Sequence, residues 1–467
     1  MTGIQRPPFE TVLVANRGEI ALRVVRTCRE LGIRSVVVHS TVDRDSAAVR
    51  AADEAVQIGP GPSRLSYLSV PAVIESALRT GAQAVHPGYG FLSEDPDFAE
   101  ICAENDLVFV GPKPRLMAEL GDKATARRLM SEAGLPLLPG STGTVDTETE
   151  AVRCAEQIGY PLIIKASAGG GGRGMAVVQD AEELVTTYRA TRAGALAVFG
   201  DGRVYLERYC ERARHVEVQV LADEHGSVVH LGERDCSVQR RHQKLVEETP
   251  APRLSDGLRE RITAAAVQGA RAVGYTGAGT MEFIVDGDEF YFMEINCRIQ
   301  VEHPVSEMVT GIDLVREQLA VAAGRPLPFA QRDIRLDGYA IECRVNAEDP
   351  ERNFVPTAGE ITDFTPPGGP FVRVDTHVRA GSVIPSDYDS LLAKVIVWGS
   401  DREQAVERMR RALTEFRIAG RGLHTTAGFL ADVVDDPVFR LGTHTTRFLE
   451  QRAKDVVVPE TVTPVAG

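Results

Sequence analysis

No stretch of this 467-residue chain approaches the ~18 consecutive apolar residues that a membrane-spanning helix requires, which argues against a membrane-embedded protein. Its seven cysteines (Cys28, Cys102, Cys154, Cys210, Cys236, Cys297 and Cys343) are scattered, odd in number and contain no CxxC pair. That pattern excludes a disulfide framework and implies reduced thiols in a reducing compartment. Positive charge is in deficit, with 52 Lys and Arg against 66 Asp and Glu and a net charge of −14. A surface of this sign repels phosphate backbones and anionic lipids, so neither nucleic-acid nor membrane binding is the expected task. The residues Met1 to Glu10 hold no apolar run and already include an acid, and a strand begins by Thr11. A signal or transit peptide is therefore not expected, and the expected location is cytoplasmic. There is no internal repeat and no low-complexity segment.

What is present is ample core-forming material, 43% hydrophobic with 25% charged residues, in a length that suggests about three domains. Thr11–Ala15 reads as a buried strand. Ile20, Val24, Val25, Cys28 and Leu31 then recur at helical spacing, Gly32 ends the helix, and Ser35–His39 is a second strand. This is the start of a βαβ unit, hence of a parallel sheet with helices on its faces. The turn Asn16-Arg17-Gly18-Glu19 holds one glycine, too few for a dinucleotide fingerprint. Asp122 is placed to cap a helix through Ala124, Ala126, Leu129 and Met130, and the stretch Pro136 to Gly143 leads into a small lobe ending near Val204–Leu206. Alternating strands follow from His215 to Val301. From about Gly338 come short Gly- and Pro-rich strands, then helices at roughly Arg402–Arg417 and His424–Val434.

The sharpest chemical signal is the run Gly169-Gly170-Gly171-Gly172-Arg173-Gly174 between the strands Tyr160–Ser167 and Met175–Val178. A Walker loop would continue with Gly-Lys-Ser/Thr and a helix, and neither follows. A hairpin flap whose backbone N–H groups close over an anion fits better than a plain flexible turn. Lys123 and Lys165 could serve that anion; Lys165 interrupts the apolar run Pro161–Ile164 and so is expected to face a cleft. Glu282 and Glu294 lie on the two strands of a hairpin. A three-residue loop pairing Val285 with Glu289 would set Glu282 opposite Phe292 and diagonal to Glu294 on one face. Two such carboxylates suit a hard cation, Mg²⁺ best, and without a cation they form a mildly repulsive acidic ladder. Beyond them Glu294, Asn296, Arg298, Gln300 and Glu302 keep a period of two, with Ile295, Cys297, Ile299 and Val301 on the other face. A half-buried strand explains the alternation, and a catalytic face explains the residue types. The basic knot Arg240-Arg241-His242-Gln243-Lys244 is either a solvated loop balanced by Glu247 and Glu248 or the rim of an anion site.

Five segments together resemble the biotin carboxylase family: Asn16-Arg17-Gly18-Glu19-Ile20-Ala21, His86 to Glu94 (HPGYGFLSE), the glycine flap, Glu233-Arg234-Asp235-Cys236-Ser237, and Arg298 to Pro304 (RIQVEHP). The resemblance runs from about Glu10 to Leu449. It implies an α/β (α+β) ATP-grasp fold with an N-terminal Rossmann-like domain at 1–121. An ATP-grasp domain at 122–335 follows, with a lid at about 138–206, then a C-terminal domain at 336–450 and a loose tail at 451–467. It implies an ATP-dependent ligase that carboxylates biotin with bicarbonate through carboxyphosphate, the first half-reaction of an acyl-CoA carboxylase.

On the same resemblance the flap, with Gly171 and Gly172, covers ATP, and Lys123 and Lys165 contact its phosphates. Glu207, Arg208, Tyr209 and Cys210 form the hinge for adenine, and His215 and His242 are further nucleotide contacts. Glu282, Glu294 and Asn296 hold two Mg²⁺ ions, with Mn²⁺ as an alternative. Lys244, Arg298, Gln300 and Val301 cradle bicarbonate, Glu302 is the base, and Arg344 faces biotin with Arg298 in support. Ala176 departs from the family, which commonly has a basic residue there; Ile295 and Cys297 are unusual neighbours that face away from the chemistry. No Ala-Met-Lys-Met-like attachment sequence occurs, so biotin is expected on a separate biotin carboxyl carrier protein, with acyl-CoA carboxyltransferase subunits as further partners and a homodimer as the assembly. The alternatives are another ATP-grasp ligase of the carbamoyl-phosphate type and an inactive paralogue acting as a scaffold.

Overall fold

In the computed structural model, which describes residues 9–141, 143–168 and 174–456, the N-terminal alternation becomes a doubly wound sheet. Thr11–Val14 (β1), Arg34–Ser40 (β2), Glu54–Gly59 (β3), Ala84–His86 (β4) and Val108–Phe109 (β5) lie parallel in the order β3-β2-β1-β4-β5. β1 is buried throughout, as a central parallel strand with both faces covered must be. The helix Gly18–Leu31 buries Ile20, Val24, Val25 and Cys28 at the spacing read from the sequence, and Gly32 ends it at φ 71°. Strand order reverses between β2 and β4 around β1, and the loops leaving β1 and β4 meet there. Asn16 ties them together, donating from Nδ2 to the Pro87 and Tyr89 carbonyls at 2.6 and 2.8 Å.

Asp122 caps the helix Lys123–Glu132 by accepting from the Thr125 N–H at 2.8 Å, as expected. The small lobe that follows is an antiparallel sheet of Leu162–Ala166 (β6), Met175–Val178 (β7) and Val204–Arg208 (β8), under the helices Glu148–Ile158 and Ala181–Phe199. Ala155, Ile158, Leu162, Ile164, Leu184 and Tyr188 give it a hydrophobic core of its own. The strands flanking the glycine run are where the sequence puts them, while Gly171 and Gly172 lie outside the described residues.

Arg214–Ala222 (β9), Val228–Arg240 (β10), Gln243–Thr249 (β11), Gly277–Asp286 (β12), Glu289–Asn296 (β13) and Tyr339–Asn346 (β14) form one antiparallel sheet with the strands Leu391–Gly399 and Val372–Thr376. The order is β13-β12-β9-β10-β11-β14, then Leu391–Gly399, then Val372–Thr376. β11 pairs directly with β14, from Val246 opposite Cys343 to Thr249 opposite Ala340. The change of sequence pattern near Gly338 therefore opens a new strand in the same sheet.

Three expectations are corrected. The β12–β13 hairpin turns on two residues, with Asp286 paired to Glu289 and Gly287 at φ 61°. A bulge between Glu282 and Phe283 then absorbs one residue of β13 and puts Glu282 directly opposite Glu294, not diagonal to it. β13 ends at Asn296, so Arg298 and Gln300 lie in a loop and Glu302 immediately precedes the helix His303–Thr310. Ile295, Cys297 and Ile299 are buried as expected, but the period-two pattern outruns the strand. Finally, the chain read as a loose tail from 451 begins as helix, Phe448–Val456.

Gly338 opens β14 at φ 69°, and a Cβ there would strike the Gly399 carbonyl and the Trp398 ring. Gly338→Ala is expected to lower stability by at least about 1–2 kcal/mol, the cost of a left-handed backbone for an L-residue. The midpoint of thermal unfolding checks this; an unchanged midpoint contradicts it.

Candidate active site

The basic knot resolves into two parts. The β10–β11 turn places Arg241 and His242 at φ 49° and 65°, both exposed. Arg240 turns outward, donating to the Asn353 carbonyl at 2.7 Å with its guanidinium 4.0 Å from the Phe354 ring centroid. Lys244 turns inward, and its ammonium lies 2.6 Å from Glu217 Oε2, 2.9 Å from Glu282 Oε1 and 2.7 Å from Glu302 Oε1. Glu247 and Glu248 do not balance the turn: Glu247 pairs with Arg344, and Glu248 with Arg402 and Tyr339.

An ammonium taken out of water is unstable unless paired, and burial alone would discharge Lys244. The three carboxylates overcome burial and hold its pKa well above the ordinary lysine value. Burial likewise opposes ionisation of Glu302, but Lys244, Arg344 and Arg234 overcome it and hold the carboxyl well below its usual range. Each Glu302 oxygen has its own cation, Lys244 on Oε1 and Arg344 Nη2 on Oε2 at 2.8 Å. Glu282 is held ionised against burial by Lys244 and His215, whose Nε2 is 3.0 Å from Glu282 Oε2. Burial works against a charged His215, and Glu282 reverses this, leaving its pKa above the ordinary imidazole value.

The loop after β13 completes the wall. Arg298 donates to Gln300 Oε1 at 2.9 Å and to Asn296 Oδ1 at 3.1 Å, and its Nε lies 3.0 Å from Glu94. Asn296 donates to Glu282 at 2.9 Å. Across the bulged pair, Glu294 meets Lys123 at 2.9 Å. Lys165 does face the cleft, 2.6 Å from Glu207 Oε2, and Arg127 closes on the other Glu207 oxygen. Burial and the nearby Lys123 push Lys165 downward to about 7, while the Glu294 carboxylate opposes them. Of the expected hinge, Arg208 donates to the Ile158 carbonyl at 2.9 Å, and the Tyr209 N–H to the Pro161 carbonyl at 3.0 Å. Cys210 is a half-buried free thiol. Ion pairs and the opposed Glu282–Glu294 register thus join Lys123, Glu294, Glu282, Lys244, Glu302 and Arg344, and no hydrogen bond or ion pair among the described residues ties His242 to them.

The oxygens of Glu282, Glu294 and Asn296 on neighbouring strands are a hard donor set, the kind that binds Mg²⁺ or Mn²⁺ and leaves positions for phosphate oxygens. The amide of Asn296 is held by Glu282 and Arg298, so the set is already oriented.

Sequence reasoning missed several supports. Glu217, with Gln219, repeats the polar alternation of β9 that starts at His215, a readable signal left unread. Glu217 and Gln219 both accept from Arg234, whose side chain is 0% exposed, at 2.6 and 2.8 Å. Lys394 interrupts the apolar strand Leu391–Gly399 just as Lys165 interrupts β6. It donates to the Val301 carbonyl at 2.8 Å and pairs with Glu19 at 2.9 Å.

This fold and this cationic cleft define an ATP-grasp ligase. Three family models match: "Biotin carboxylase, N-terminal domain" over residues 8–117, "Carbamoyl-phosphate synthase L chain, ATP binding domain" over 122–330, and "Biotin carboxylase C-terminal domain" over 342–451. The biotin carboxylase of Nostoc sp. is 53% identical over 447 residues, covering 96% of this chain and 100% of that one. A pyruvate carboxylase subunit of Methanothermobacter thermautotrophicus is 50% identical over 449 residues, covering 96% and 91%. The biotin carboxylase–β,γ-ATP complex from Campylobacter jejuni superposes with a TM-score of 0.92 at 45% identity, covering 95% and 99%. The biotin carboxylase domain dimer of Hydrogenobacter thermophilus 2-oxoglutarate carboxylase, with MgADP, ADP and bicarbonate, gives 0.93 at 47% identity, covering 97% and 99%. The chain belongs to the biotin carboxylase family. The central model, shared with carbamoyl-phosphate synthases, describes the ATP-binding part alone; the flanking two distinguish the families.

Lys394→Met leaves Glu19 buried without its cation and Val301 without a donor. A loss of about 3–5 kcal/mol is expected, as for a broken buried pair. The denaturant midpoint checks this, and a shift worth less than about 1 kcal/mol contradicts it.

Proposed function

We propose that the Lys244–Glu302–Arg344 array couples ATP cleavage to carboxylation of biotin, with residue roles as follows. Lys123 and Lys165 bind the ATP phosphates beneath the flap that includes Gly171 and Gly172. The segment Glu207, Arg208, Tyr209 and Cys210 flanks the adenine, with His215 and His242 as side contacts. Glu282, Glu294 and Asn296 hold Mg²⁺, which when bound neutralises charge on the phosphates. Lys244, Arg298, Gln300 and the Val301 backbone hold bicarbonate. The MgADP and bicarbonate named for the Hydrogenobacter thermophilus domain support this set.

The observation that carries the reading is Glu302 gripped by a cation on each oxygen. Alone, it is ionised and weakly basic. An anion entering the site competes for Lys244 and Arg344, loosens their hold and raises the basicity of Glu302 when its substrate has arrived. Glu302 then takes the bicarbonate proton, a bicarbonate oxygen bonds to the γ-phosphorus, and ADP leaves, giving carboxyphosphate. Carboxyphosphate releases its carboxyl group as CO₂, the phosphate takes the ureido N–H proton of biotin, and the nitrogen bonds to the carbon. Arg344, with Arg298 in support, stabilises the negative oxygen of the deprotonated ureido group.

The acceptor is biotin on a biotin carboxyl carrier protein, with acyl-CoA carboxyltransferase subunits completing the pathway of the carboxyl group. The same domain serves pyruvate carboxylase in a 50% identical relative, so the final acceptor is set by those partners. A homodimer is supported by the dimeric Hydrogenobacter thermophilus domain. A cytoplasmic location is supported by seven free thiols; among the described residues no helix is long and apolar enough to cross a membrane.

Glu302→Gln is expected to remove bicarbonate-dependent ATP cleavage, and Arg344→Ala to slow biotin carboxylation by about 10²–10³-fold, the cost of one oxyanion donor. Steady-state assays of ADP and carboxybiotin check both. Near-normal rates remove these residues from the roles given.

A further inference from the structure

Beneath Arg344, two carboxyl groups stand in a position that the reaction as described does not use. Glu247 on β11 and Glu342 on β14 are directly opposite in the sheet register, and both are 0% exposed. Opposite residues on adjacent strands have Cβ atoms only about 4.5–5.5 Å apart. Among the described residues, neither Glu342 oxygen accepts a hydrogen bond, and nor does Glu247 Oε2. Glu247 has an ion contact, Arg344 Nη2 at 2.5 Å from Oε1, and the same Nη2 reaches Glu302 Oε2. The groups facing the pair are Arg344 on β14, Lys244 on β11, Lys394 on the strand Leu391–Gly399 and Glu302 before its helix. The Cys236 thiol on β10 is held protonated by burial, and His303 on that helix is held neutral by burial. Lys394 is committed to Glu19 and the Val301 carbonyl.

Two ionised carboxylates at directly opposite, fully buried positions, with one guanidinium contact between them, are not a stable arrangement; sharing one proton is the ordinary resolution. Burial raises both, Glu247 to about 7 with Arg344 opposing the rise, and Glu342 well above the usual range with Lys394 opposing. We propose that Glu247 and Glu342 form a proton-sharing carboxyl pair that positions Arg344, presenting it with one negative charge instead of two. The pair anchors the guanidinium from below, and the missing second charge leaves it free to turn to an anionic acceptor. This rests on the reading of Arg344 as the group that meets the deprotonated ureido oxygen. Both residues are positioning residues, since neither touches substrate.

The test uses Glu247→Gln, Glu342→Gln and the double variant in the full chain. A neutral carboxamide imitates the protonated partner, so each single variant keeps one negative charge and loses little of the biotin carboxylation rate. The double variant has none, and its rate is expected to fall roughly tenfold below the product of the two single effects, a coupling within the range of side chains in one network. Simple multiplication of the single effects overturns the positioning role. Infrared difference spectra at neutral pH provide a second readout, independent of activity and of Arg344. The wild type should show a buried carboxylic-acid carbonyl band that either single variant lacks. Absence of that band, or its survival in both variants, overturns the shared proton even if the double variant does not fold. If Arg344→Ala carboxylates normally while the band is present, the reading of Arg344 fails and the carboxyl pair stands.

Discussion

A lysine ammonium held out of water by three carboxylates is the constraint around which the molecule is arranged. Lys244 reaches Glu217 on β9, Glu282 on β12 and Glu302 before a helix, so one charge fixes three elements relative to β11. The carboxylates in turn need cations: Glu217 is shared with the fully buried Arg234, Glu282 with His215, and Glu302 with Arg344. Removing any member leaves an uncompensated charge in a region where desolvation is costly, which favours one arrangement of the whole set. Stability of the set and readiness for an anion have the same origin. In the proposed mechanism a second anion enters by taking cations away from these carboxylates, and that exchange turns a weak base into a competent one.

The antiparallel sheet makes the arrangement possible. Six of its eight strands run unbroken from the β12–β13 hairpin, with Glu282 and Glu294, to β14, with Arg344. Residues contributed by distant parts of the chain therefore sit on one framework. Lys394, on the next strand, holds the Val301 carbonyl, which fixes the loop between Gln300 and Glu302 against that framework. The N-terminal sheet joins through Glu19, the partner of Lys394. The small lobe, by contrast, packs on its own core, and Glu207 ties it to the helix Lys123–Glu132 through Arg127.

Much of this was legible in the sequence. The helix at Gly18–Leu31, the capping role of Asp122 and the inward turn of Lys165 follow from spacing and local chemistry, and they hold. The family resemblance named Lys244, Glu282, Glu294, Glu302 and Arg344, which the structure brings together, but not Glu217. What was not legible depended on tertiary context. Strict alternation from Glu294 to Glu302 imitates a strand, but Pro304 at the start of the next helix and the loop before it break the ladder after Asn296. The bulge that sets Glu282 opposite Glu294 shifts the buried face from Phe290 and Phe292 to Ile295 and Cys297, a change of parity that the alternation counted from Glu294 onward does not include. Glu247 read as a counter-charge for its neighbours in sequence, whereas its partners come from β14.

The central claim is that the charge-paired cleft transfers the carboxyl group of bicarbonate to biotin at the expense of ATP. The most direct measurement follows isotopically labelled bicarbonate into carboxybiotin alongside ADP release, with free biotin as acceptor. The account predicts that ATP cleavage rises when biotin is added and that label enters biotin in a one-to-one ratio with ADP. ATP cleavage indifferent to biotin, with no label transferred, would contradict it.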